Sequence, residues 1–423
     1  MAKKIRVVII GGGAAGLAAA VAAARAGASV RILDHMDRVG RKILSTGNGR
    51  CNYTNAAMGP EKFYSGHIAA VREILRQYPT NRILDFFEGI GVVPAERDGY
   101  YYPASGQAAS VLDCLRSECA GLGVEICCQT AVKSAERSGN RFHIKTDVED
   151  VFCDRLILAC GGKAAPFTGS DGSGYELARR LGHRVIEPFP ALTALRTDGT
   201  RCKALSGVRV RAAVELYVDG QRKAADSGEL QWTENGLSGI VVFQISRLAV
   251  EALRGKRHVE VQIDFQPDRE KGETIAFLRK RRNLLGQKEL QEWGIGLFHR
   301  KLWQQLVREA GLPPSIKAGA LSDNDERKLV RVITGFRVPV TGYLGFDRAQ
   351  TTAGGIDLRE FVPQTMESRR IPGLYMAGEM LDVDGICGGY NLHWAWASGL
   401  AAGRAAGSQA GAKKGKNDSY FTV

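Results

Sequence analysis

A glycine-rich turn near the amino terminus contains residues suited to binding a diphosphate. Residues 11–16 fit the pattern Gly-x-Gly-x-x-Gly between an apolar run at residues 5–10 and an alanine-rich segment at residues 14–26. Glycines in this context permit a tight turn and a close approach of backbone to phosphate, and the helix that follows offers free N–H groups. The predicted diphosphate contacts are Gly11, Gly13, Ala14, Ala15 and Gly16.

An acidic residue follows this turn at the spacing expected for ribose recognition. Asp34 closes a second apolar run, residues 30–33, and stands 23 positions after Gly11. Its carboxylate can accept hydrogen bonds from both hydroxyls of an unphosphorylated ribose. The turn and Asp34 together predict a site for an adenine dinucleotide.

A second segment, residues 38–55, is dense in hydrogen-bonding groups and glycine. Basic and hydroxyl side chains supply donors for phosphates and a ribityl chain, while the glycines let backbone lie against a flat ring. The alternative is a solvated basic loop, since such loops are common on protein surfaces. The predicted contacts are Arg41, Lys42, Ser45, Thr46, Gly47 and Asn48.

A third segment, residues 378–393, has the form of a glycine loop that opens a helix. When a flavin accepts a hydride at N5, negative charge gathers around N1 and the C2 oxygen, and a helix start aimed there stabilises it. The alternative is a capped surface helix. The predicted contacts are Gly378, Glu379, Asp384, Gly388, Gly389, Asn391 and Leu392.

Two side chains are candidates for proton transfer. His393, at the start of the last predicted helix, can donate to a flavin oxygen or protonate a substrate, although a histidine in this position is more often a cap or surface residue. Tyr101, in a run of three tyrosines, can present a phenol over a flavin, although such a run more often packs in the core. We name both as candidate catalytic residues.

The elements that position these segments are a parallel sheet and an insertion. Apolar runs at residues 5–10, 30–33 and 155–159 alternate with helical segments, which predicts the right-handed strand-helix-strand crossovers of a Rossmann-like sheet. Residues 208–245 alternate as antiparallel strands, with a hairpin signal at Asp219-Gly220. A charged, helical stretch at about residues 269–331 predicts a small helical cap in the same insertion.

Length and composition favour a protein of two or three domains with reduced thiols and without a membrane-spanning helix. The 423 residues are enough for two or three domains, and the nine cysteines contain no Cys-x-x-Cys pair, so we expect reduced thiols, a cytoplasmic protein and no metal site. No run of 18 uninterrupted apolar residues is present, which predicts no membrane-spanning helix.

The formal net charge of +13 favours anionic partners but does not choose among them. The densest basic runs, residues 279–282 and 413–416, are interpreted as solvated faces or tail, because the stripe and aromatic interleaving of a nucleic-acid surface are missing. The sequence leaves the oligomeric state open.

The three segments, together with Gly354-Gly355, resemble a family of bacterial flavoproteins that includes aminoacetone oxidase and the bile-acid ene-reductases. The matching strings are residues 40–55, 352–355 and 377–392, and the resemblance covers nearly the whole chain. It implies FAD in a fold of the two-dinucleotide-binding type, with residues 1–190 and 335–423 as the flavin domain and residues 191–334 as a substrate domain. The further cofactor contacts expected on this basis are Val132, Ala159, Gly161, Gly162 and Gly355.

The resemblance permits several functions. We favour transfer of a hydride from NAD(P)H through FAD to an enone, such as a steroid or bile-acid 3-oxo-ene, because nicotinamide and substrate can then take turns at one face of the flavin. Oxidation of a small amine such as aminoacetone by oxygen is the first alternative. An RNA-binding or RNA-modifying flavoprotein, suggested by the charge, is an alternative of another class, and a flavin-binding scaffold without turnover is a third.

Overall fold

A computed structural model describes residues 4–197 and 199–408. The basic run at residues 413–416 lies outside the described residues. The chain forms two compact units, one built from the residues up to Phe189 and from Gln350 onward, the other from Pro190 to Ala349. Among the described helices none is long and apolar enough to cross a membrane.

The first unit contains a seven-stranded sheet with a parallel centre. Its middle strand, Arg6–Ile10, pairs in parallel with Arg155–Leu158 on one side and Ser29–Leu33 on the other. Four of the five residues of the middle strand are buried, which suits a strand covered on both faces. The complete order across the sheet is Phe361–Val362, Glu367–Ser368, Leu374–Met376, Arg155–Leu158, Arg6–Ile10, Ser29–Leu33 and Glu125–Cys127.

Two small-residue helices pack against each other beside this sheet. They are the N-terminal helix, Ala14–Arg25, and the C-terminal helix, Tyr390–Gly407. A Cβ added at Gly403 would lie 2.1 Å from the carbonyl oxygen of Ala19. Glycine is therefore required at that contact because the two backbones touch.

Smaller elements complete the first unit. The other helices are Arg41–Ser45, Ile68–Gln77, Thr80–Glu88, Ala108–Gly121 and Ser173–Arg180, with 3₁₀ turns at Thr46–Gly49, Pro60–Lys62, Pro166–Thr168, Leu358–Glu360 and Gly378–Met380. The other strands are Thr54–Asn55, Phe63–Tyr64, Pro94–Arg97, Tyr100–Pro103, Val132–Ser138, Arg141–Thr146, Asp150–Cys153, Val185–Ala191, Thr351–Ile356 and Asp384–Gly385.

The second unit is a closed antiparallel barrel with helices packed on it. The strand order is Leu195–Thr197, Gly236–Ser238, Gln221–Thr233, Arg209–Val218, Val259–Asp264 and Phe336–Tyr343. The predicted hairpin is confirmed, because Val218 pairs with Gln221 across Asp219 and Gly220, both of which have positive φ. The helices are Gly199–Leu205, Ile240–Arg254, Lys271–Leu285, Leu290–Trp293, Arg300–Glu309 and Asp323–Thr334, with a 3₁₀ turn at Ala318–Ala320.

The insertion differs from the sequence prediction at two points. Its predicted end at residue 334 falls before Phe336–Tyr343, which supplies a barrel strand by pairing with Val259–Asp264. The expected strand pattern up to residue 245 is also wrong at its end, because Ile240–Arg254 is a helix. Its buried residues, such as Val241, Val242 and Ile245, follow helical spacing, and β-branched residues there serve the barrel core.

The basic run at residues 279–282 is solvated only in part, because Arg279 and Lys280 are exposed while Arg281 and Arg282 are partly buried. Arg279 and Arg282 each lie 3.0 Å from a carboxylate oxygen of Glu326, whose side chain is only 2% exposed. Arg281 donates a hydrogen bond to the carbonyl of Trp293 and lies over its ring. Two guanidinium groups are needed here because a buried carboxylate without cationic partners is costly.

Candidate functional site

A cavity in the first unit lies beyond the carboxyl ends of the parallel strands, where ligands of open α/β sheets bind. It is lined by residues from chain segments that are far apart in sequence. The predicted cofactor contacts that line it are Gly11, Gly13, Ala14, Ala15, Asp34, Arg41, Lys42, Thr46, Val132, Ala159, Gly161, Gly378, Glu379, Asn391 and Leu392.

The glycine turn at the start of the N-terminal helix has space for a ligand at one position only. A Cβ at Gly11 would lie 2.4 Å from the carbonyl oxygen of Ala159, and one at Gly16 would lie 1.9 Å from that of Gly11. At Gly13 an added Cβ would meet no described atom within 4 Å, and no side chain in the described structure caps the helix there. Helix-start N–H groups that face open space have the geometry that an anion such as a diphosphate requires.

Asp34 is held at the end of its strand by two backbone donors. The N–H of Gly12 donates to Oδ2 at 2.7 Å, and the N–H of Met36 donates to Oδ1 at 2.8 Å. The carboxylate is nearly buried but lines the cavity, and each of its oxygens keeps a further acceptor site. This geometry fits acceptance from the hydroxyls of a ribose.

A charged pair lies in the wall of the cavity. Lys42 donates to Glu379 Oε2 at 2.6 Å, and both side chains are about one-fifth exposed. The two residues are 337 positions apart in the chain, so the pair joins the second predicted segment to the third.

The C-terminal helix begins at the same cavity. Its N-cap, Gly389, has φ of 89°, and no described side chain caps the helix. The amide of Asn391 accepts from the N–H of Gly385 and donates to the carbonyl of Gly385, both at 2.8 Å. Asn391 therefore fixes the preceding loop while Leu392 adds an apolar contact to the cavity wall.

The two candidate proton donors do not line the cavity. His393 is fully buried, accepts from the hydroxyl of Thr54 at 2.7 Å and donates to the carbonyl of Tyr78 at 3.0 Å. Burial lowers the pKa of His393 to about 4, so the ring is neutral near pH 7. Tyr101 lies in a three-stranded sheet, opposite Thr54, and packs against the core.

Helix geometry explains why His393 does not line the cavity. Successive residues of a helix point about 100° apart, and Asn391, Leu392 and Ala395 face the cavity. His393 lies on the other side of the helix and faces the core. The glycine loop marks the start of this helix in the sequence, but it does not show which face of the helix is buried.

Several other predicted contacts support the cavity wall from behind or lie away from it. Gly389, for example, is tightly packed, since an added Cβ would lie 2.8 Å from the carbonyl oxygen of Thr54. Predicted contacts outside the lining are Gly16, Ser45, Gly47, Asn48, Gly162, Gly355, Asp384, Gly388 and Gly389.

Sequence reasoning also missed part of the lining. His35 and Met36 follow Asp34, and Thr130 and Ala131 precede Val132, so proximity to a predicted contact was a usable signal for these four. The turn at residues 169–174 is not among the missed residues, because its glycines predict a second helix start near the cofactor, and Gly169, Ser170, Asp171 and Ser173 line the cavity. Thr168 and Gln350 complete the missed set.

A thiol also reaches the cavity wall. Cys160 donates to the carbonyl of Ile10, and burial raises the pKa of its thiol to about 12. A thiol this difficult to ionise is a poor nucleophile at neutral pH. No disulfide bond joins the cysteines of the described residues, and no group of three or more metal-ligating side chains occurs among those residues.

Comparison with known proteins identifies the family. The family model described as HI0933-like protein Rossmann domain matches residues 5–405. The chain belongs to the HI0933-like family. A 3-dehydro-bile acid delta(4,6)-reductase of Clostridium scindens is 41% identical over 399 residues, which cover 94% of this chain and 98% of that protein. This HI0933-like protein is therefore an FAD-dependent oxidoreductase.

Two other relatives are named for the modification of RNA and not for the reduction of a bile acid. Ribosomal RNA dihydrouridine synthases of Escherichia coli and Haemophilus influenzae are 29% and 30% identical, each over 93% of this chain and 96% of the relative. Among solved structures, a 3-ketosteroid-delta4-(5alpha)-dehydrogenase from Rhodococcus jostii RHA1 superposes with a TM-score of 0.51 at 17% identity, covering 96% of this chain and 97% of that one. That likeness supports the Rossmann-type fold.

Proposed function

We propose that this HI0933-like protein uses FAD to reduce a carbon–carbon double bond conjugated with a carbonyl group. The observation that carries the proposal is the 41% identity, over 94% of the chain, to a protein named as a bile-acid delta(4,6)-reductase. A steroid or bile-acid 3-oxo-ene is the proposed substrate, and NAD(P)H is the proposed electron donor.

The cavity supports FAD as the group that this chemistry needs. The open turn at Gly13 and the N-terminal helix would hold the diphosphate, and Asp34 would accept from the adenosine ribose. Lys42 and the start of the C-terminal helix would meet the other end of the cofactor. When bound, FAD supplies the two-electron chemistry, which the protein side chains cannot supply.

The chain's own residues orient the ligand and control charge. Backbone N–H groups at a helix start stabilise negative charge without any reorganisation during the reaction. Arg38, Arg41 and Lys42 add positive charge along one wall of the cavity. Neither His393 nor Tyr101 lines the cavity, so neither is part of the proposed charge control at the cofactor.

Anaerobic spectroscopy tests the proposal directly. The purified holoprotein should lose its flavin absorbance on addition of NADH or NADPH without oxygen, and a 3-oxo-Δ4 steroid should restore it with formation of the saturated ketone. Bleaching by aminoacetone alone, with peroxide formed on reoxidation, would replace the proposal by the amine oxidase. Protein that takes up no FAD would overturn both.

A second candidate substrate is a uracil ring in RNA. The two relatives named as ribosomal RNA dihydrouridine synthases favour it, and so does the charge: residues 190–349 hold 27 Lys and Arg against 19 Asp and Glu, a net charge of +8 within the whole-chain +13. The C5=C6 bond of uracil is conjugated with a carbonyl, so the reaction would belong to the same chemical class.

The RNA candidate has its own experiment. Ribosomal RNA lacking dihydrouridine is incubated with the holoprotein and NADPH, digested, and examined by mass spectrometry for a uridine that has gained two hydrogens. A salt-dependent gel shift should accompany that gain, because phosphate contacts weaken as salt rises. Steroid reduction with neither RNA binding at low salt nor a modified uridine would exclude this candidate.

A further inference from the structure

Thr352 is a buried hydroxyl at the centre of a hydrogen-bond network behind the cavity wall. Its Oγ1 accepts from the N–H of Lys163 at 2.8 Å and from the N–H of Ala164 at 3.0 Å. With both acceptor sites taken by backbone donors, its own proton is directed to Glu379 Oε1 at 2.9 Å. Thr352 itself is fully buried and does not line the cavity.

Glu379 is held by three donors that lie on two different segments. Its Oε1 accepts from both the N–H and the hydroxyl of Thr352, and its Oε2 accepts from Lys42. These bonds leave the carboxylate little freedom to rotate. Charge-assisted bonds of this kind are the stronger hydrogen bonds in proteins, so the orientation is well defined.

Lys42 is held in turn by Glu379 and by the carbonyl of Ala164, at 2.6 Å and 3.2 Å. An ammonium group carries three N–H donors, so one is left for a ligand in the cavity that Lys42 lines. Thr352 binds the N–H of Ala164 while Lys42 binds its carbonyl, so one peptide segment connects the hydroxyl to the ammonium group.

We propose that Thr352 is a positioning residue that fixes the Lys42–Glu379 pair against the cavity and thereby sets both the affinity for FAD and its reduction potential. With its hydroxyl present, the Glu379 charge is offset by two donors from Thr352 and by Lys42. Without it, a less neutralised carboxylate lies beside the cavity and disfavours added negative charge there. The inference concerns the cofactor site and does not depend on which conjugated carbonyl compound is the substrate.

The test uses Thr352→Val, which keeps the shape of the side chain and removes the hydroxyl. We expect FAD affinity to fall about tenfold, since one hydrogen bond to a charged group and one acceptor for two N–H groups are lost. The midpoint potential of bound FAD should become more negative. Affinity is measured by titrating the apoprotein with FAD, and the potential by equilibration with a reference dye.

Thr352→Ser is the matched rescue, because it restores the hydroxyl while omitting the methyl group. Its affinity and potential should lie close to those of the wild-type protein. An affinity loss without a change in potential would overturn the proposal, since a purely structural role predicts that pattern. A Ser variant as impaired as the Val variant would overturn it as well.

A second variant keeps the test decisive if Thr352→Val fails to fold. An added Cβ at Gly162 would lie 2.3 Å from Thr352 Oγ1 and 2.6 Å from Glu379 Oε1, so Gly162→Ala displaces the same two groups without removing either. Its control is Gly121→Ala, where a Cβ meets no described atom within 4 Å. Wild-type affinity and potential in Gly162→Ala would reject the inference.

No substrate or NAD(P)H enters these measurements, so failure of this inference is distinct from failure of the proposed function.

Discussion

The starts of the N-terminal and C-terminal helices reach the same cavity by different means. At the N-terminal helix the glycine turn itself lines the cavity, and the open position at Gly13 is where backbone would meet a ligand. At the C-terminal helix the glycines Gly388 and Gly389 pack against protein, and Asn391 and Leu392 face the cavity. A glycine in a binding motif can thus serve either the ligand or the fold, and only its surroundings tell which.

The largest expected effect comes from separating the two helices. Gly403→Ala places a Cβ 2.1 Å from the carbonyl oxygen of Ala19, so the helices must move apart. We expect a loss of about 3 kcal/mol in the free energy of unfolding, together with weaker FAD binding because both helix starts shift. Urea unfolding of the apoprotein checks this.

Gly272→Ala is the control for that substitution. It lies in the helix Lys271–Leu285, and its added Cβ meets no described atom within 4 Å. Replacing glycine by alanine in a helix usually stabilises by up to about 1 kcal/mol. If Gly403→Ala were as stable as this control, the close helix contact would not matter for folding.

The next largest effects are expected at two glycines of the N-terminal turn, Gly13, which faces the cavity, and Gly16, which packs against backbone. Gly13→Ala should weaken FAD binding about tenfold or more, because a methyl group enters the space that the ligand approaches. The stability of the apoprotein should stay nearly unchanged. Gly16→Ala, whose Cβ would lie 1.9 Å from the carbonyl oxygen of Gly11, should instead destabilise the apoprotein. Equal behaviour of the two variants would contradict the distinction.

A smaller loss of FAD affinity is expected from a substitution at the start of the C-terminal helix. Asn391→Leu removes both side-chain hydrogen bonds to Gly385 and should weaken FAD binding about fivefold by loosening that loop. Fluorescence titration of the apoprotein measures it. Asn81→Leu, an exposed asparagine in another helix, is the control and should bind FAD normally.

Replacement of His393 is expected to have the smallest effect on activity at neutral pH, and its main effect is on the pH dependence of stability. The His393 pKa of about 4 lies below the value of 6.5 for the unfolded chain, so the unfolded state takes up the proton first as the pH falls. Its contribution to stability is complete above pH 6.5 and decreases by about 1.4 kcal/mol per pH unit between 6.5 and 4.

His393→Gln tests that linkage and the catalytic candidate together. A glutamine amide can replace both hydrogen bonds, to Thr54 and to Tyr78, and it does not titrate. We expect activity at pH 7 within about twofold of wild type and a flatter loss of stability in acid. A large loss of activity with normal folding would restore His393 as a proton donor.

Much of the first unit could be predicted because its signals are local. The apolar run before the glycine turn and the acidic residue after the next strand lie within one strand-helix-strand unit, where spacing determines geometry. The helices Ile68–Gln77, Thr80–Glu88 and Ala108–Gly121 were not predicted. They lie between the binding motifs, and those motifs carry no information about them.

One physical reason explains why the sequence could not show which candidate side chains line the cavity. Helix periodicity shows that residues 391 and 393 face different ways, but not which way is the cavity. Packing decides which face of the C-terminal helix is buried, because His393 forms hydrogen bonds with Thr54 and Tyr78, more than 300 positions away in the chain. Packing also decides the partners of Arg279 and Arg282, which both lie against the buried Glu326.

The sequence by itself determined the glycine turn, the acidic residue that follows it, the family and the hairpin of the insertion, because each depends on residues close together in the chain. Only the tertiary structure decided which glycines face a ligand, where the barrel ends, and that Lys42, Thr352 and Glu379 form one network. Hydrogen bonds and burial join residues across hundreds of positions, and no local pattern records those contacts.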